Sequence, residues 1–331
     1  MALESFLTND LNPALVREVE QFLDSQETAH PFQFPQWVDP GSKLALMREN
    51  GRIRWLGSFA VHPPLGWKMP WIRAAVANRG PVCDDLNFWE SAADELAEEL
   101  RREGLAFFDA SPEWILQPTE EPPGFLKKAG WKSLGVEPRA SLRLDLTPSA
   151  DELFANFTKT TRYEVRRAER LGAIVTAASR DVQIDQFLGL YEGLAARKGF
   201  PADSMERLRR TIRWLMTADS RGALLLAKVN DVVCGGAVVG RAGRRCWYIW
   251  GANEKQQKVN VGHVLQWNAL QWAKSQGCSE YDFGGYTPGA TSGPAWFKAG
   301  FGGSVVHFVA PHRRVIRPAS HRVYSLLSRI G

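Results

Sequence analysis

An internal repeat constrains the fold of this 331-residue chain more than any single motif does. The segments Glu103–Asp109 and Gln276–Asp282 both place a glycine before a short apolar strand that ends in aspartate. After a similar interval in each copy, Lys128-Ala129-Gly130-Trp131 is repeated as Lys298-Ala299-Gly300-Phe301. Matches that recur in the same order, at offsets of about 170–180 residues, predict two copies of a single structural unit.

Each copy also begins with the signature of a β-hairpin. Asn50-Gly51 and Asn230-Asp231 mark tight turns between strand-like segments. Amphipathic helices are predicted from Leu86 to Arg102 and from Gly262 to Ser275. The order of hairpin, helix, strand, loop, short helix and closing strand predicts an α/β (α+β) chain of two tandem domains with mixed sheets, produced by duplication.

The boundary between the copies is predicted where a strand-like segment, Leu142 to Leu146, ends. Ser149 and Glu152 then form a capping box that begins a helix. We therefore expect an N-terminal domain over residues 1–147 and a C-terminal domain over 148–310, with a helical insertion at 181–217. The tail, 311–331, is expected either to pack back on the first domain or to contact an anionic membrane or RNA.

Charge is concentrated in that tail. The net charge is +5, from 41 basic and 36 acidic residues. The tail has no acid and carries five arginines, at positions 313, 314, 317, 322 and 329. The rest of the chain is therefore neutral, which excludes a broad polyanion-binding surface and limits any grip on RNA to a local patch.

The composition predicts a cytoplasmic globular protein, and the basic tail offers a peripheral contact with the inner face of the membrane. No apolar run approaches the ~20 residues of a membrane helix, and the N-terminus lacks the pattern of a signal peptide. The four cysteines (Cys83, Cys234, Cys246 and Cys278) are widely spaced, which predicts reduced, buried thiols. The histidines show no metal-ligand spacing, and no metal is expected.

The motifs resemble the FemABX family of aminoacyl-tRNA-dependent peptidyltransferases, whose two domains have a GNAT-like (acyl-CoA N-acyltransferase-like) fold. The first copy contributes the segments 32–37 (FQFPQW) and 78–82 (NRGPV). The second contributes 159–168, 281–285 (YDFGG) and the pair Phe297-Lys298. The family lysine that follows the first-domain Trp37 is either absent here or displaced to Lys43. The long helical arm of larger members is reduced to the insertion.

A row of cations follows the predicted boundary. Lys159, Arg162, Arg166 and Arg170 share one face of a predicted helix, where guanidinium groups suit phosphate oxygens. The alternative is a solvated face balanced by acids of the same helix. The resemblance implies that Arg162, with Lys159 and Arg166, holds the phosphate or carboxylate of an acceptor, and that Trp37 and Phe297 also contact substrate.

Lys298 is the leading catalytic candidate. It follows a glycine-rich loop in which Gly284 and Gly285 permit close approach of a ligand. A fixed cation there would stabilise the oxyanion of an acyl transfer, and the resemblance assigns the Phe-Lys pair to that step. Asp282 and Tyr281 lie at the predicted strand end, where Asp282 is a candidate general base or amine-orienting group. Because Asp109 is the repeat equivalent of Asp282, a structural role for Asp282 in capping the following loop is equally open.

The donor is left open between two chemistries. Before the second-copy helix, 257–263 has only one glycine, so the pyrophosphate-binding loop of CoA-dependent acetyltransferases is degenerate. The tryptophans of this region suit either a core or stacking on a tRNA terminus. No tightly bound cofactor is expected.

The first hypothesis is therefore transfer of an aminoacyl group from aminoacyl-tRNA to an amine of a nucleotide- or lipid-linked peptidoglycan precursor or a related peptide, in cell-wall synthesis. The alternative is acyl-CoA-dependent N-acylation of a polysaccharide or amino-sugar precursor. A third is a non-enzymatic protein that binds RNA or membrane through its tail.

Overall fold

The computed structural model describes residues 3–8, 11–37, 42–66, 69–116, 124–136, 139–201, 203–217, 221–254, 259–289 and 293–328. The chain forms two compact units. Unit 1 contains Met1–Arg139 and His307–Gly331, and unit 2 contains Ala140–Val306. The sequence places the division after residue 147. The structure places it earlier, because the strand that begins at Ala140 pairs within the sheet of unit 2.

Unit 1 is built on a mixed sheet with helices against it. Its first elements are β1 (Leu3–Thr8), α1 (Pro13–Ser25), β2 (Lys43–Glu49), β3 (Arg52–His62), β4 (Arg73–Asn78), β5 (Val82–Cys83), α2 (Leu86–Arg102), β6 (Leu105–Ser111), β7 (Ile115–Leu116), α3 (Gly124–Lys128) and β8 (Trp131–Ser133). The predicted turn between β2 and β3 is confirmed, since Asn50 and Gly51 have φ of +52° and +77°.

Unit 2 repeats this plan with two additional helices. Its elements are β9 (Ala140–Asp145), α4 (Ala150–Asn156), α5 (Lys159–Arg170), β10 (Ile174–Ala177), α6 (Asp181–Lys198), α7 (Met205–Thr217), β11 (Gly222–Val229), β12 (Val232–Ala242), β13 (Arg245–Asn253), α8 (Gly262–Ser275), β14 (Glu280–Gly285), α9 (Gly293–Ala299) and β15 (Ser304–Phe308). The predicted capping box is confirmed, because the Ser149 hydroxyl accepts from the backbone N–H of Glu152, whose carboxylate accepts from that of Ser149.

The strands of unit 2 lie in the order β10-β11-β12-β13-β14-β9-β15. β13 and β14 run parallel, whereas β11 pairs antiparallel with β12, and β12 with β13. The apolar face of α8 packs against this sheet, where Leu265, Ala269 and Ala273 are buried at helical spacing. The two predicted helices of the insertion are α6 and α7.

The C-terminal segment completes the sheet of unit 1. There β16 (His312–Val315) lies between β6 and β8, in the order β1-β2-β3-β4-β6-β16-β8, and α10 (Pro318–Leu327) follows. Arg313 donates from Nε and Nη2 to the two carboxylate oxygens of Asp109, at 2.6 and 2.7 Å, with its guanidinium 3.7 Å from the Phe107 ring centroid. The tail is therefore structural, and two of its arginines, Arg313 and Arg314, pair with carboxylates of unit 1.

The matching order of elements confirms the predicted duplication and fold class. The hairpin β2–β3 corresponds to β11–β12, strand β4 to β13, helix α2 to α8, and strand β6 to β14. All four cysteines are free and buried, as predicted. No helix among the described residues combines the length and apolar character needed to cross a bilayer.

Candidate active site

The two parallel strands of unit 2 separate part-way along their length. β13 and β14 pair only from Arg245 opposite Glu280 to Trp247 opposite Asp282. On the other side of β13, Val238 lies opposite Trp250 and Val239 opposite Tyr248, so Ile249 is the extra residue of a β-bulge. A bulge bends a strand and changes the direction of its polar groups. The bend begins where the parallel register ends, so the two strands open away from each other beyond Trp247 and Asp282.

The corresponding strands of unit 1 stay together. β4 and β6 pair from Arg73 opposite Leu105 to Asn78 opposite Ser111, with one register shift between Arg73 and Ala74. Between β3 and β4 the chain inserts the fully buried side chain of Gln33. Its Nε2 donates to the carbonyl oxygen of Asn78 at 2.8 Å, and its Oε1 accepts the Ser58 N–H at 2.9 Å.

Gly80, in the resembling segment 78–82, makes room for this insertion. A Cβ at Gly80 would lie 2.2 Å from the side-chain carbon of Gln33. The amide thus occupies, within the sheet of unit 1, the region that corresponds to the bulge in unit 2. The duplicated plan keeps an opening between parallel strands only in unit 2, as far as the described residues go.

Lys298 lies on α9 and reaches back to the end of β14. Its Nζ donates to the carbonyl oxygen of Gly285 at 2.6 Å and, more weakly, to that of Gly284 at 3.4 Å. Gly284 has φ of +71°, and a Cβ there would lie 3.3 Å from the carbonyl oxygen of Tyr248, the residue before the bulge. The ammonium group is therefore held at the end of β14, beside the opening between β13 and β14.

Asp282 is buried beneath this turn, with 1% of its surface exposed. Its carboxylate accepts hydrogen bonds from Ser141 Oγ, from Arg143 Nε at 2.9 Å and from the Gly284 N–H at 2.8 Å. The sequence leaves open a base or amine-orienting group in contact with substrate and a cap of the following loop. The structure favours the second role, because it surrounds the carboxylate with protein donors, so that Asp282 can act on the site only through the turn.

Tyr281 is also inaccessible. Its ring is fully buried, and its hydroxyl donates to Gln266 Oε1 at 2.8 Å. Burial raises the pKa of this hydroxyl well above its usual value. Burial also raises the pKa of the Tyr248 hydroxyl, to about 12, although a hydrogen bond with the Gln266 amide acts to lower it. Tyr281 and Asp282 therefore support the floor of the site.

Aromatic residues surround the base of Lys298. The half-buried Phe297 packs edge to face on His263, with ring centroids 4.9 Å apart. His263 stands in the first turn of α8, and burial lowers its pKa. The sequence gives no reason to select it: it follows Gly262 in the degenerate loop 257–263, whose first two residues lie outside the described residues.

The cation row falls on one side of α5, as its spacing predicts. Lys159, Arg162, Arg166 and Arg170 line a cleft of about 720 Å³ together with Tyr163 and Glu169. Arg162 also donates to the backbone carbonyls of Ala155, at 2.6 Å, and Phe157, so it caps the end of α4. The Arg166 guanidinium lies 5.1 Å from the centroid of the Phe154 ring.

The start of α5 is joined to the end of α9 by close packing. The N–H of Thr158 donates to the carbonyl of Gly300 at 2.9 Å. A Cβ at Gly300 would lie 2.3 Å from Thr161 Oγ1. The glycine of the repeated Lys-Ala-Gly motif thus brings the first turn of the cation row next to the helix that carries Lys298.

Two residues of unit 1 that the sequence singles out, Trp37 and Lys43, have contacts typical of structural residues. Trp37 is 1% exposed, and its ring packs against Phe32 at a centroid distance of 4.6 Å. Lys43, the lysine that most nearly follows Trp37 in the sequence, forms an ion pair of 2.6 Å with Glu103. As described, Trp37 lies within the core of unit 1 rather than on a ligand-accessible surface.

Comparison with known proteins supports the same region. A sequence profile described as "Acetyltransferase (GNAT) domain" matches residues 155–298, which contain the bulge, α8, β14 and Lys298. The UDP-N-acetylmuramoylpentapeptide-lysine N(6)-alanyltransferase of Weissella viridescens is 24% identical over 226 residues. The match covers 64% of this chain and 66% of that protein, slightly under two thirds of its length.

Two solved structures extend the likeness over both units. The crystal structure of FemX has a TM-score of 0.81 at 16% identity, covering 97% of this chain and 99% of its own. A tandem GNAT protein from the clavulanic acid pathway has a TM-score of 0.57 at 11% identity, covering 96% and 99%. The fold and the site define a tandem GNAT protein of the acyltransferase class. Within that class, the predicted resemblance to the FemABX family is confirmed, because the alanyltransferase and FemX are both similar to this chain.

Proposed function

We propose that this protein is an aminoacyltransferase that moves an aminoacyl group from aminoacyl-tRNA to an amine of a peptidoglycan precursor or a related peptide. The observation that carries the proposal is the opening between β13 and β14, with a bulge at Ile249 on one side and Lys298 held at the end of the other strand. The sequence relationship to an alanyltransferase acting on a muramoylpentapeptide supports the choice of substrates.

The proposed chemistry is direct attack of the acceptor amine on the ester carbonyl of the donor. A carbon–nitrogen bond forms, the carbonyl oxygen becomes an oxyanion, and the ester carbon–oxygen bond then breaks. The amine loses one proton and the departing tRNA hydroxyl gains one, so the step needs no oxidant or further reactant. Lys298 and the backbone N–H groups around the bulge would stabilise the oxyanion. Asp282 would act as a positioning residue through the Gly284 turn.

The acceptor would be gripped at the first turn of α5. Lys159 and Arg162 stand there, close to Gly300 and the end of α9. Their charges suit a phosphate or carboxylate. Phe297 would cover the apolar side of the reacting groups, and Gly285 would allow close approach.

A charged tRNA as donor would place the reaction in the cytoplasm. With a lipid-linked acceptor, peripheral contact with the membrane would involve α10, which exposes Val323, Leu326 and Leu327 and belongs to a segment without acidic residues. Sedimentation with anionic vesicles tests this contact, and equal binding of wild type and Leu326→Glu would reject it.

Donor discrimination with purified protein tests the central proposal. Binding and transfer are measured with a mixed pool of aminoacyl-tRNAs, with acetyl-CoA and with longer acyl-CoAs, for the wild type and Lys298→Ala. We expect saturable binding of charged tRNA, with transfer to a muramoyl peptide that depends on Lys298. Tight binding of acyl-CoA, with acyl transfer to an amine and no preference for tRNA, would instead establish the alternative N-acyltransferase.

A further inference from the structure

The part of α5 beyond its first turn carries an exposed aromatic residue among cations. Tyr163 is 54% exposed and lines the cleft of about 720 Å³ beside Arg166 and Arg170. A large aromatic side chain on a solvated, strongly charged helix gains nothing from exposure to water. Its position is explained if the ring is covered when a ligand binds.

The charges around Tyr163 select an anionic ligand. Arg166 and Arg170 stand three and seven residues after Tyr163, on the same side of the helix. Packing over the Phe154 ring restricts the Arg166 guanidinium before any ligand arrives. Of the acids on α5, Glu164 pairs with Arg167 at 3.6 Å, and Glu169 is the acid that lines the cleft. Cations therefore exceed acids along this lining.

The length of the surface distinguishes an RNA strand from a single diphosphate. From Tyr163 to Arg170 the helix rises about 10 Å, at ~1.5 Å per residue. Successive nucleotides of a stacked strand advance by ~3.4 Å, so this length matches about three nucleotides. Unpaired bases stack on exposed aromatic rings while arginines contact the flanking phosphates.

We infer that Tyr163, Arg166 and Arg170 form a contact surface for the single-stranded end of the donor RNA. Tyr163 stacks on an unpaired base, and the two arginines contact backbone phosphates. This inference rests on the proposed function, and it divides α5 between the two substrates: the first turn serves the acceptor and the remainder serves the RNA. The neutral composition of the chain outside its tail agrees with a grip confined to one short surface.

Fluorescence anisotropy with a labelled, uncharged RNA hairpin that has a four-nucleotide single-stranded 3′ end tests the surface without requiring catalysis. We expect Tyr163→Ala to weaken binding about tenfold, within the range for loss of one stacked base. Tyr163→Phe should retain wild-type affinity, because it preserves the ring. Arg170→Glu should weaken binding and reduce the dependence of log affinity on log salt concentration by about 0.7 or more.

Lys198→Glu is the matched control, since it makes the same kind of charge reversal at an exposed position on α6. Equal RNA affinity in the wild type, Tyr163→Ala, Arg170→Glu and this control would overturn the inference. Free uridine diphosphate is added as a competitor, and loss of RNA binding at equimolar diphosphate would likewise overturn it, because the surface would then be a mononucleotide site.

The outcome is separable from that of the proposed reaction. Lys298→Ala should bind the uncharged hairpin as the wild type does. Weakened binding by the Tyr163 and Arg170 variants, together with absence of aminoacyl transfer by the wild type, would leave the RNA surface standing and reject the reaction. Normal transfer by the wild type, together with wild-type RNA affinity in both variants, would reject the RNA surface and leave the reaction standing.

Discussion

Asp282 and Lys298 hold the same backbone turn from opposite sides. The carboxylate of Asp282 accepts the N–H of Gly284 at 2.8 Å, while the ammonium of Lys298 donates to the carbonyl oxygens of Gly284 and Gly285 at 3.4 and 2.6 Å. The anion fixes a donor and the cation fixes two acceptors of one short segment. The position of Lys298 therefore depends on a carboxylate that substrate does not reach.

Lys298→Ala should lower the rate of transfer by about 10²- to 10³-fold, the range observed when one oxyanion-stabilising group is removed. Stability should change little, because the side chain is half-buried at the surface of α9. Lys128→Ala, the exposed repeat partner on α3, is the matched control and should leave the rate unchanged. Equal rates for both variants and the wild type would remove Lys298 from the chemistry.

Asp282→Asn should destabilise the fold and also reduce the turnover number of the folded enzyme. Loss of the buried pair with Arg143 is expected to cost about 3–5 kcal/mol. Asp109→Asn provides the comparison, because this repeat partner pairs with Arg313 in unit 1. It should lower stability, measured by chemical denaturation, without lowering turnover per folded molecule. A similar loss of turnover in both variants would show that the effect of Asp282 is only on folding.

Gly284→Ala should impair turnover more than Gly289→Ala does. Both glycines have positive φ, +71° and +74°, so each replacement costs about 1 kcal/mol in backbone strain. A Cβ at Gly284 would additionally meet the carbonyl of Tyr248 at 3.3 Å, whereas nothing lies within 4 Å at Gly289. Thermal unfolding measures the shared strain, and the transfer rate measures the added displacement of Lys298. Indistinguishable rates would contradict the role given to the turn.

Glu113 should make unit 1 sensitive to acid. Burial raises the pKa of its carboxyl, but the charges of Arg79, His30 and Arg139 outweigh burial and lower it to about 2. Since the ordinary value is 4.5, this group contributes stability above pH 4.5 that is lost as pH falls through about 2. The contribution is about 3 kcal/mol, at ~1.4 kcal/mol per pH unit.

The free energy of unfolding, measured by urea denaturation between pH 6 and pH 2, tests this contribution. Glu113→Gln should be less stable at pH 6, because two arginines lose their shared partner. Its stability should also fall less steeply with acid than that of the wild type. Parallel curves for the two proteins would contradict the depressed pKa.

The sequence predicts the duplicated fold well because the repeat is carried by local signals. Asn50 and Asn230 adopt the positive φ expected of their turns, at +52° and +49°. Ser149 and Glu152 form the predicted cap. Such features depend on neighbours within a few positions, which a sequence displays directly.

The surroundings of the candidate residues depend on long-range packing, which periodicity does not encode. The bulge at Ile249 follows from the register between two strands, and no residue type marks it. Arg162 lies in the predicted row, but its donation to the carbonyls at the end of α4 requires the fold of the preceding helix. Asp282 shows the same limit, since its partner Arg143 lies on another strand. The sequence leaves a structural role for Asp282 open, but only the fold shows which donors surround it.

The insertion of Gln33 gives the two copies unequal freedom to vary. In unit 1 the side chain of Gln33 fills the region that corresponds to the bulge of unit 2, so that copy holds a permanent hydrogen-bonding group of its own there. Replacing Gln33 should impair folding, whereas replacing Lys298 should lower the reaction rate. One duplicated fold thus provides structural support in one half of the chain and carries the proposed reaction in the other, so substitutions in the two halves are expected to have different consequences.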